Sequence, residues 1–270
     1  MNRRSDKVER PDVTHSNSSS PSSGTSGAPL LSVIVPVLNE ADNLAPLISE
    51  IEAALEGVCA FEILYIDDAS TDRTPGILKE LKATRPHLRI IRHNRTCGQS
   101  AGLRNGVLAA HGELVATLDG DGQNDPADIP KLLEKYREAA TGSQPVMVTG
   151  HRVNRRDTAS KRWASKYANK LRRFLLKDDN PDTGCSLKLY ARETFLRFPY
   201  FDHMHRFLPA LAKRENCVVH VVPVNHRHRQ HGQSKYSNLG RALVGIPDLL
   251  GVAWLLRRSP GRLEAKEIDT

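Results

Sequence analysis

The 270-residue chain is predicted to fold as an α/β domain, with a mostly parallel sheet flanked by helices. Two observations predict it. Short apolar runs alternate with segments of helical periodicity, which is the pattern of βαβ units. Acidic residues follow several of those runs, where the carboxyl ends of parallel strands form a ligand-binding rim. A composition of 39% hydrophobic and 26% charged residues is that of a globular protein large enough to bury a full core.

The elements follow in order. LSVIVPVL (Leu31 to Leu38) is a short apolar run ending at a turn and reads as a buried strand. The next segment sets Leu44, Leu47, Ile48, Ile51 and Leu55 on one helical face. FEILYID (Phe61 to Asp67) is a second strand, followed by the helical TPGILKELKA; LRIIRH (Leu88 to His93) is a third. A glycine-punctuated helix runs from about Gln99 to Ala110. ELVATLD (Glu113 to Asp119) is a fourth strand, and PVMVTG (Pro145 to Gly150) a fifth. Residues 1–29 contain SNSSSPSSGTSG, which cannot bury enough apolar surface to offset the entropy of ordering, and are expected to form a disordered tail.

The net charge of +8 and a pI near 9.4 point to anionic partners: nucleic acid, phosphorylated ligands or acidic lipid surfaces. Aromatic content is only 5%, no nucleic-acid-binding motif occurs, and acids on the rim would repel a phosphate backbone, so a nucleic-acid partner is not expected. Cys59, Cys97, Cys185 and Cys217 form no CxxC pair and read as reduced thiols of a cytoplasmic protein. The N-terminus shows no apolar segment of the secretory type. The longest apolar segment, Ala242 to Leu256, would reach about 22 Å as a helix, against about 30 Å of bilayer core. It contains Pro247 and Asp248 and is flanked by Arg241, Arg257 and Arg258. With Trp254, this suits either an amphipathic helix in a membrane interface or one packed on the body or on a partner protein.

The chemistry concentrates on the rim. IDDASTDRT holds Asp67, Asp68 and Asp72, and LDGDGQNDP holds Asp119, Asp121 and Asp125. A lone Asp-x-Asp is commonly a solvated turn. Here it ends an apolar strand while a second acidic pair ends another, and crowded carboxylates repel unless a cation sits among them. Hard oxygen donors from Asp121 and the Gln123 amide suit Mg²⁺ or Mn²⁺, an ion that leaves open positions for phosphate oxygens.

The runs LSVIVPVLNEADNL, YIDDASTDRT and GQSAGLRNGVLAAHGELVATLDGDGQNDP, in that order, resemble the nucleotide-sugar domain of family 2 glycosyltransferases with the GT-A (Rossmann-like) fold. HRFLPAL (His205 to Leu211) and RQHGQSKY (Arg229 to Tyr236) resemble more narrowly the polyprenyl-phosphate glycosyltransferases, the dolichol-phosphate mannose synthase-like group. The resemblance covers roughly Leu31 to Arg241. It implies a GT-A domain over residues 30–238, with an interfacial helix and tail over 239–270. The implied reaction is inverting transfer of a sugar from a UDP- or GDP-linked donor to a polyprenyl phosphate in the membrane, on a protein peripheral to the inner membrane face. It also leaves a place for an integral-membrane partner.

By the same resemblance, Pro36, Leu38 and Glu40 line the nucleotide pocket, Ile66 and Asp68 flank the base, and Asp119 and Gly120 approach the ribose and diphosphate. Asp121 and Gln123 hold the metal. Arg229 and Lys235 close over the donor diphosphate, and Asp182, in NPDTGCSLKLY, matches a catalytic acid. From His151 to Lys177 the chain is strongly basic; read as a helix, Thr158 to Leu176 puts Lys161, Ser165, Asn169 and Arg172 on one face and Trp163, Tyr167, Leu171 and Phe174 opposite. The resemblance assigns Arg152, Lys161 and Ser165 to the acceptor phosphate, with Arg162 and Lys166 as neighbours. His205 reads as structural or as a direct participant. Other readings of the chain are a family 2 transferase with a soluble or polymeric glycan acceptor, a nucleotidyltransferase of related fold, and a non-catalytic basic nucleic-acid binder.

Overall fold

The computed structural model describes residues 30–153, 172–228 and 238–259. The strands are β1 (Leu31–Val37), β2 (Phe61–Asp67), β3 (Leu88–Arg92), β4 (Leu114–Thr117), β5 (Val146–Arg152), β6 (Lys188–Ala191) and β7 (Val218–Val224). The helices are α1 (Leu44–Leu55), α2 (Thr74–Ala83), α3 (Gln99–Ala109), α4 (Ile129–Ala139), α5 (residues 172–176), α6 (Arg192–Leu196), α7 (Leu208–Arg214) and α8 (Asn238–Arg257).

The strands form one sheet in the order β3-β2-β1-β4-β6-β5-β7. All neighbours pair in parallel except β6, which runs antiparallel to both β4 and β5. The five anticipated strands are all present. β6 and β7 were not anticipated. β6 is four residues long and begins with a lysine; β7 lies at the sheet edge, contains Pro223, and only its last residue is buried. A proline is tolerated there because an edge strand has one unpaired side.

Apolar residues cover both faces. One cluster sets Leu44, Leu47 and Ile51 of α1, Leu78 of α2 and Leu132 of α4 against Val33, Val35 and Tyr65 of the sheet. The other sets Leu103 of α3, Phe195 of α6, Leu211 of α7 and Val252 of α8 against Ile34, Leu64 and Ile66. The glycines of α3 have a structural reason: a Cβ on Gly102 would stand 3.0 Å from Pro36, and one on Gly106 would stand 2.5 Å from Ile34. Close approach of this helix brings its N-terminus to the rim.

The alternation that buries the sheet also moves Ile66. It is fully buried and packs toward α3, with its side chain beneath Gly102 and Gly106. Ile66 therefore belongs to the core and is not among the residues that line the cleft above the rim; its neighbour Asp67 points to the opposite face. The basic segment also differs at its described end. Arg172 is buried, donating to the Asn180 carbonyl at 2.7 Å and to Thr183, whereas Phe174 is 80% exposed. Arg172 thus braces the loop before β6 and does not share a solvated basic face.

Candidate active site

Two loops build the near side of the rim. After β2, Asp67 accepts a hydrogen bond from the Ser70 amide at 2.9 Å, closing a tight turn. After β1, Asn39 adopts a positive φ of 55°, and its side chain accepts from the Thr71 amide at 2.8 Å. Asp68, 5% exposed, receives the Cys97 and Gly98 amides, each at 2.8 Å, and lies 2.7 Å from His93 Nδ1. Asp68 thus orders the loop leading into α3. An ionised carboxylate has about four acceptor positions, and three are taken.

The LDGDGQ turn follows β4. A Cβ on Gly120 would collide with Val37, so only glycine lets the turn lie against the end of β1. Gly122 has φ +71°, a conformation glycine adopts without strain. Asp119 accepts from Gln99 Nε2 at 2.6 Å, and Asp121 accepts from the Gln123 amide at 3.1 Å. Arg227 clamps the turn from outside: its amide donates to the Gln123 carbonyl at 2.9 Å, and its guanidinium pairs with Asp125 and Glu50 at 2.6 and 2.7 Å. The Asp119 carboxyl is pushed above the usual carboxylate range, first by burial and then by the charge of Asp121. Two carboxylates crowded on one lip, with hard oxygen donors, fit a divalent cation.

A cleft of 910 Å³ opens over this rim. Pro36, Leu38 and Glu40 line it from the β1 end, Asp68 from the β2 end, and Asp119, Gly120 and Asp121 from the β4 end. Further lining comes from the segment with Arg95 and Gln99, from Arg104 of α3, and from the stretch carrying Tyr200, His203, His205 and Arg206. Below it lies an inner chamber of 480 Å³, sharing Gln99, Asp119, His205 and Arg206 with the cleft. Two adjoining cavities with a common wall can hold two substrates against one reacting centre.

Arg152 and Asp182 pair directly on the wall of the inner chamber. Arg152 Nε and Nη2 donate to the two carboxylate oxygens at 2.8 and 2.7 Å, and the Arg152 amide adds a third bond at 3.1 Å. The carboxylate raises the Arg152 pKa against the lowering effect of burial. Asp182 and Arg152 therefore hold each other in place. Three of the five guanidinium protons remain for a ligand. Lys188, at the start of β6, is buried with its ammonium against the Thr183 and Cys185 carbonyls, and burial lowers its pKa. His205 Nδ1 lies 2.8 Å from Ser100 Oγ; burial first, then the neighbouring Arg206, Lys188 and His203, push its pKa down to about 3. The ring is neutral at physiological pH.

The rim gathers Pro36, Leu38, Glu40, Asp68, Asp119, Gly120 and Asp121, with Gln123 next in the same turn and Arg152 and Asp182 in the adjoining chamber. Lys161, Ser165, Arg162, Lys166, Arg229 and Lys235 lie outside the described residues. Gln99, Lys188 and Arg206 were not assigned roles from sequence. The available signal for Lys188 was a charged residue inside the apolar run LKLY; Gln99 stands beside the glycine that opens α3.

Residues 32–197 match the family model of glycosyl transferase family 2. Dodecaprenyl-phosphate galacturonate synthase of Rhizobium johnstonii is 34% identical over 238 residues, covering 84% of this chain and 67% of that protein. Undecaprenyl-phosphate 4-deoxy-4-formamido-L-arabinose transferase of Pseudomonas paraeruginosa is 37% identical over 214 residues, covering 77% and 60%. The chain spans 60 to 67% of the length of these curated relatives. Among solved structures, glucosyl-3-phosphoglycerate synthase of Mycobacterium tuberculosis, crystallised with Mg²⁺ and UDP, aligns with a TM-score of 0.61 at 18% identity, over 87% of this chain and 81% of that one. Mannosyl-3-phosphoglycerate synthase of Rubrobacter xylanophilus aligns with a TM-score of 0.62 at 15% identity, over 89% and 79%. These likenesses identify the sheet with its rim as the GT-A fold. Because the family match spans β1 through α6, and so includes the LDGDGQ lip and the Arg152–Asp182 pair, the chain belongs to glycosyl transferase family 2.

Proposed function

We propose that this protein transfers a sugar from a nucleotide-sugar to a polyprenyl phosphate, with inversion at the anomeric carbon. The observation that carries the reading is the pair of adjoining cavities, one along the acidic rim and one around Arg152. The named activities of the relatives, which act on dodecaprenyl and undecaprenyl phosphate, support it. The donor nucleotide, UDP- or GDP-linked, lies along Pro36, Leu38 and Glu40, and the remaining acceptor position of Asp68 takes a base N–H. Asp121 and the side-chain carbonyl oxygen of Gln123 would hold Mg²⁺ or Mn²⁺. When bound, that ion would neutralise charge on the departing diphosphate.

A phosphomonoester has a second pKa near 6, so the acceptor is largely a dianion at neutral pH and no strong general base is required. One acceptor oxygen forms the new bond to the anomeric carbon as the bond to the nucleoside diphosphate breaks. Arg152, fixed by Asp182, holds the acceptor phosphate for in-line approach; Lys161 and Ser165 join it, while Arg229 and Lys235 close over the donor. The basic segment and α8 set the protein on the cytoplasmic membrane surface. Among the described residues no helix is long and apolar enough to cross a membrane.

Incubation with undecaprenyl phosphate, Mn²⁺ and a panel of UDP- and GDP-sugars tests this. The expected products are nucleoside diphosphate and a lipid-linked monosaccharide in equal amounts, with Asp121→Ala at least about 100-fold slower. Pyrophosphate release from a nucleoside triphosphate, or turnover with soluble glycans but not with the lipid, would refute it.

A further inference from the structure

Lys188 breaks the rule of its place in the sheet. It is registered with Thr117 on β4 and Thr149 on β5, and Thr117 is registered in turn with Ile34 on β1. In-register neighbours share a face, so this row crosses the middle of the sheet. Ile34 and Thr149 are fully buried, Thr117 is 2% exposed, and Lys188 itself is 2% exposed. Carbonyls of Thr183 and Cys185 meet two of its three ammonium protons. Among the described residues no carboxylate lies within ion-pair distance of it; Asp119 and Asp182 act on it from farther away. Burying an ammonium without a close counter-ion is costly, and a neutral side chain would fill the row better.

Arg206 faces the same chamber and is half-buried, and it too has no carboxylate within ion-pair distance among the described residues. The charge count is therefore uneven. Arg152, Lys188 and Arg206 face Asp119 and Asp182, and His205 adds hydrogen-bonding capacity without charge. Arg152 is already balanced by Asp182. The two remaining cations stand on the wall shared with, and the floor below, the donor cleft, where the transferred sugar must lie.

We propose that Lys188 and Arg206 receive a carboxylate carried by the sugar, so that the donor is a nucleoside-diphosphate-linked uronic acid. This rests on the transferase reading above, in which the diphosphate goes to the Asp121 lip and the acceptor phosphate to Arg152. Arg206 supplies a planar fork matched to a carboxylate, and Lys188 a point charge at the floor. A neutral hexose would leave both cations without a carboxylate at ion-pair distance, which is how a site rejects a ligand lacking the group it was built for.

The test is calorimetric binding with Mn²⁺ of UDP-galacturonate, UDP-glucuronate and GDP-mannuronate, each against its neutral counterpart UDP-galactose, UDP-glucose or GDP-mannose. UDP and GDP alone serve as controls. For at least one pair the uronate should bind at least about tenfold tighter than its neutral counterpart. Lys188→Met and Arg206→Gln should each shrink that ratio while leaving nucleoside diphosphate affinity within about twofold. Equal binding by wild-type protein of every uronate and its neutral partner overturns the proposal without needing either variant to fold. Equal weakening of the uronate and of the bare diphosphate by both variants also overturns it, since the cations would then serve the diphosphate. Nucleoside diphosphate binding without uronate preference defeats the sugar assignment alone, whereas no nucleotide binding defeats the transferase reading with it.

Discussion

Asp182 shows how one contact changes the meaning of a residue. Its motif marks it as an acid near the reaction, but both carboxylate oxygens are engaged by Arg152. That geometry favours a positioning role over a place among the reacting atoms. Asp182→Asn keeps the size and loses the charge and one acceptor of the bidentate pair. The acceptor KM is expected to rise roughly tenfold, equivalent to about 1.4 kcal/mol, with donor KM and kcat at saturating lipid unchanged. A fall in kcat with both KM values unmoved would return Asp182 to the reacting atoms. Asp119 and Asp121 were legible because a dense acidic turn directly after an apolar strand has few other physical explanations. Lys188 was not, because its place depends on a strand inserted antiparallel between β4 and β5, and local sequence carries no record of which strands become neighbours.

At the scale of elements, the parallel strands were legible as apolar runs because both of their faces are buried. β7 was not: as an edge strand it mixes Val, His and Pro, and most of it is exposed or part-buried. What locks the parallel strands together at the end away from the cleft is Glu62 on β2. It is 4% exposed and accepts from Ser32 Oγ on β1, Arg89 Nη1 on β3 and the His111 amide before β4, each at 2.6 Å. Burial alone would raise its pKa, but these bonds together outweigh it and the net shift is downward. A carboxyl depressed in the folded state stabilises above its unfolded pKa, about 4.3 for Glu, and loses that contribution as pH falls through the lower folded value. Glu62→Gln should therefore cost about 1–3 kcal/mol at pH 7. The difference from wild type should narrow below about pH 4, as the wild-type carboxyl protonates. Urea denaturation at pH 7 and at pH 3.5 checks it; a gap that stays constant or widens in acid contradicts the assigned sign.

At the scale of the whole molecule, α8 joins the cleft to the outside. Its inner side packs Val252 and Ala253 into the second core cluster. Ile246, Leu250 and Trp254, spaced four residues apart, are 57%, 57% and 59% exposed on the outer side. Body packing and an outward apolar stripe therefore coexist on one helix. Asp248, the acid that looked misplaced in an apolar segment, lies 3.1 Å from His203 Nδ1, and His203 lines the donor cleft. A helix resting on a bilayer through that stripe would thus hold the cleft wall beside the lipid surface, where a polyprenyl phosphate presents its head group. Arg257 and Arg258 at the end of the stripe, with the net charge of +8, favour anionic lipid. Replacing Ile246, Leu250 and Trp254 together by Ser removes only exposed side chains, so the fold should survive with unchanged circular dichroism. Each apolar side chain contributes about 1.5–3 kcal/mol when fully buried. Even partial insertion of three should therefore make co-sedimentation with vesicles containing phosphatidylglycerol at least about tenfold weaker in the variant. Transfer to a water-soluble short-chain polyprenyl phosphate should be preserved in the same protein. Wild-type sedimentation by the triple variant would mean that α8 does not seat the enzyme on the membrane, and that some other surface brings the cleft to its lipid.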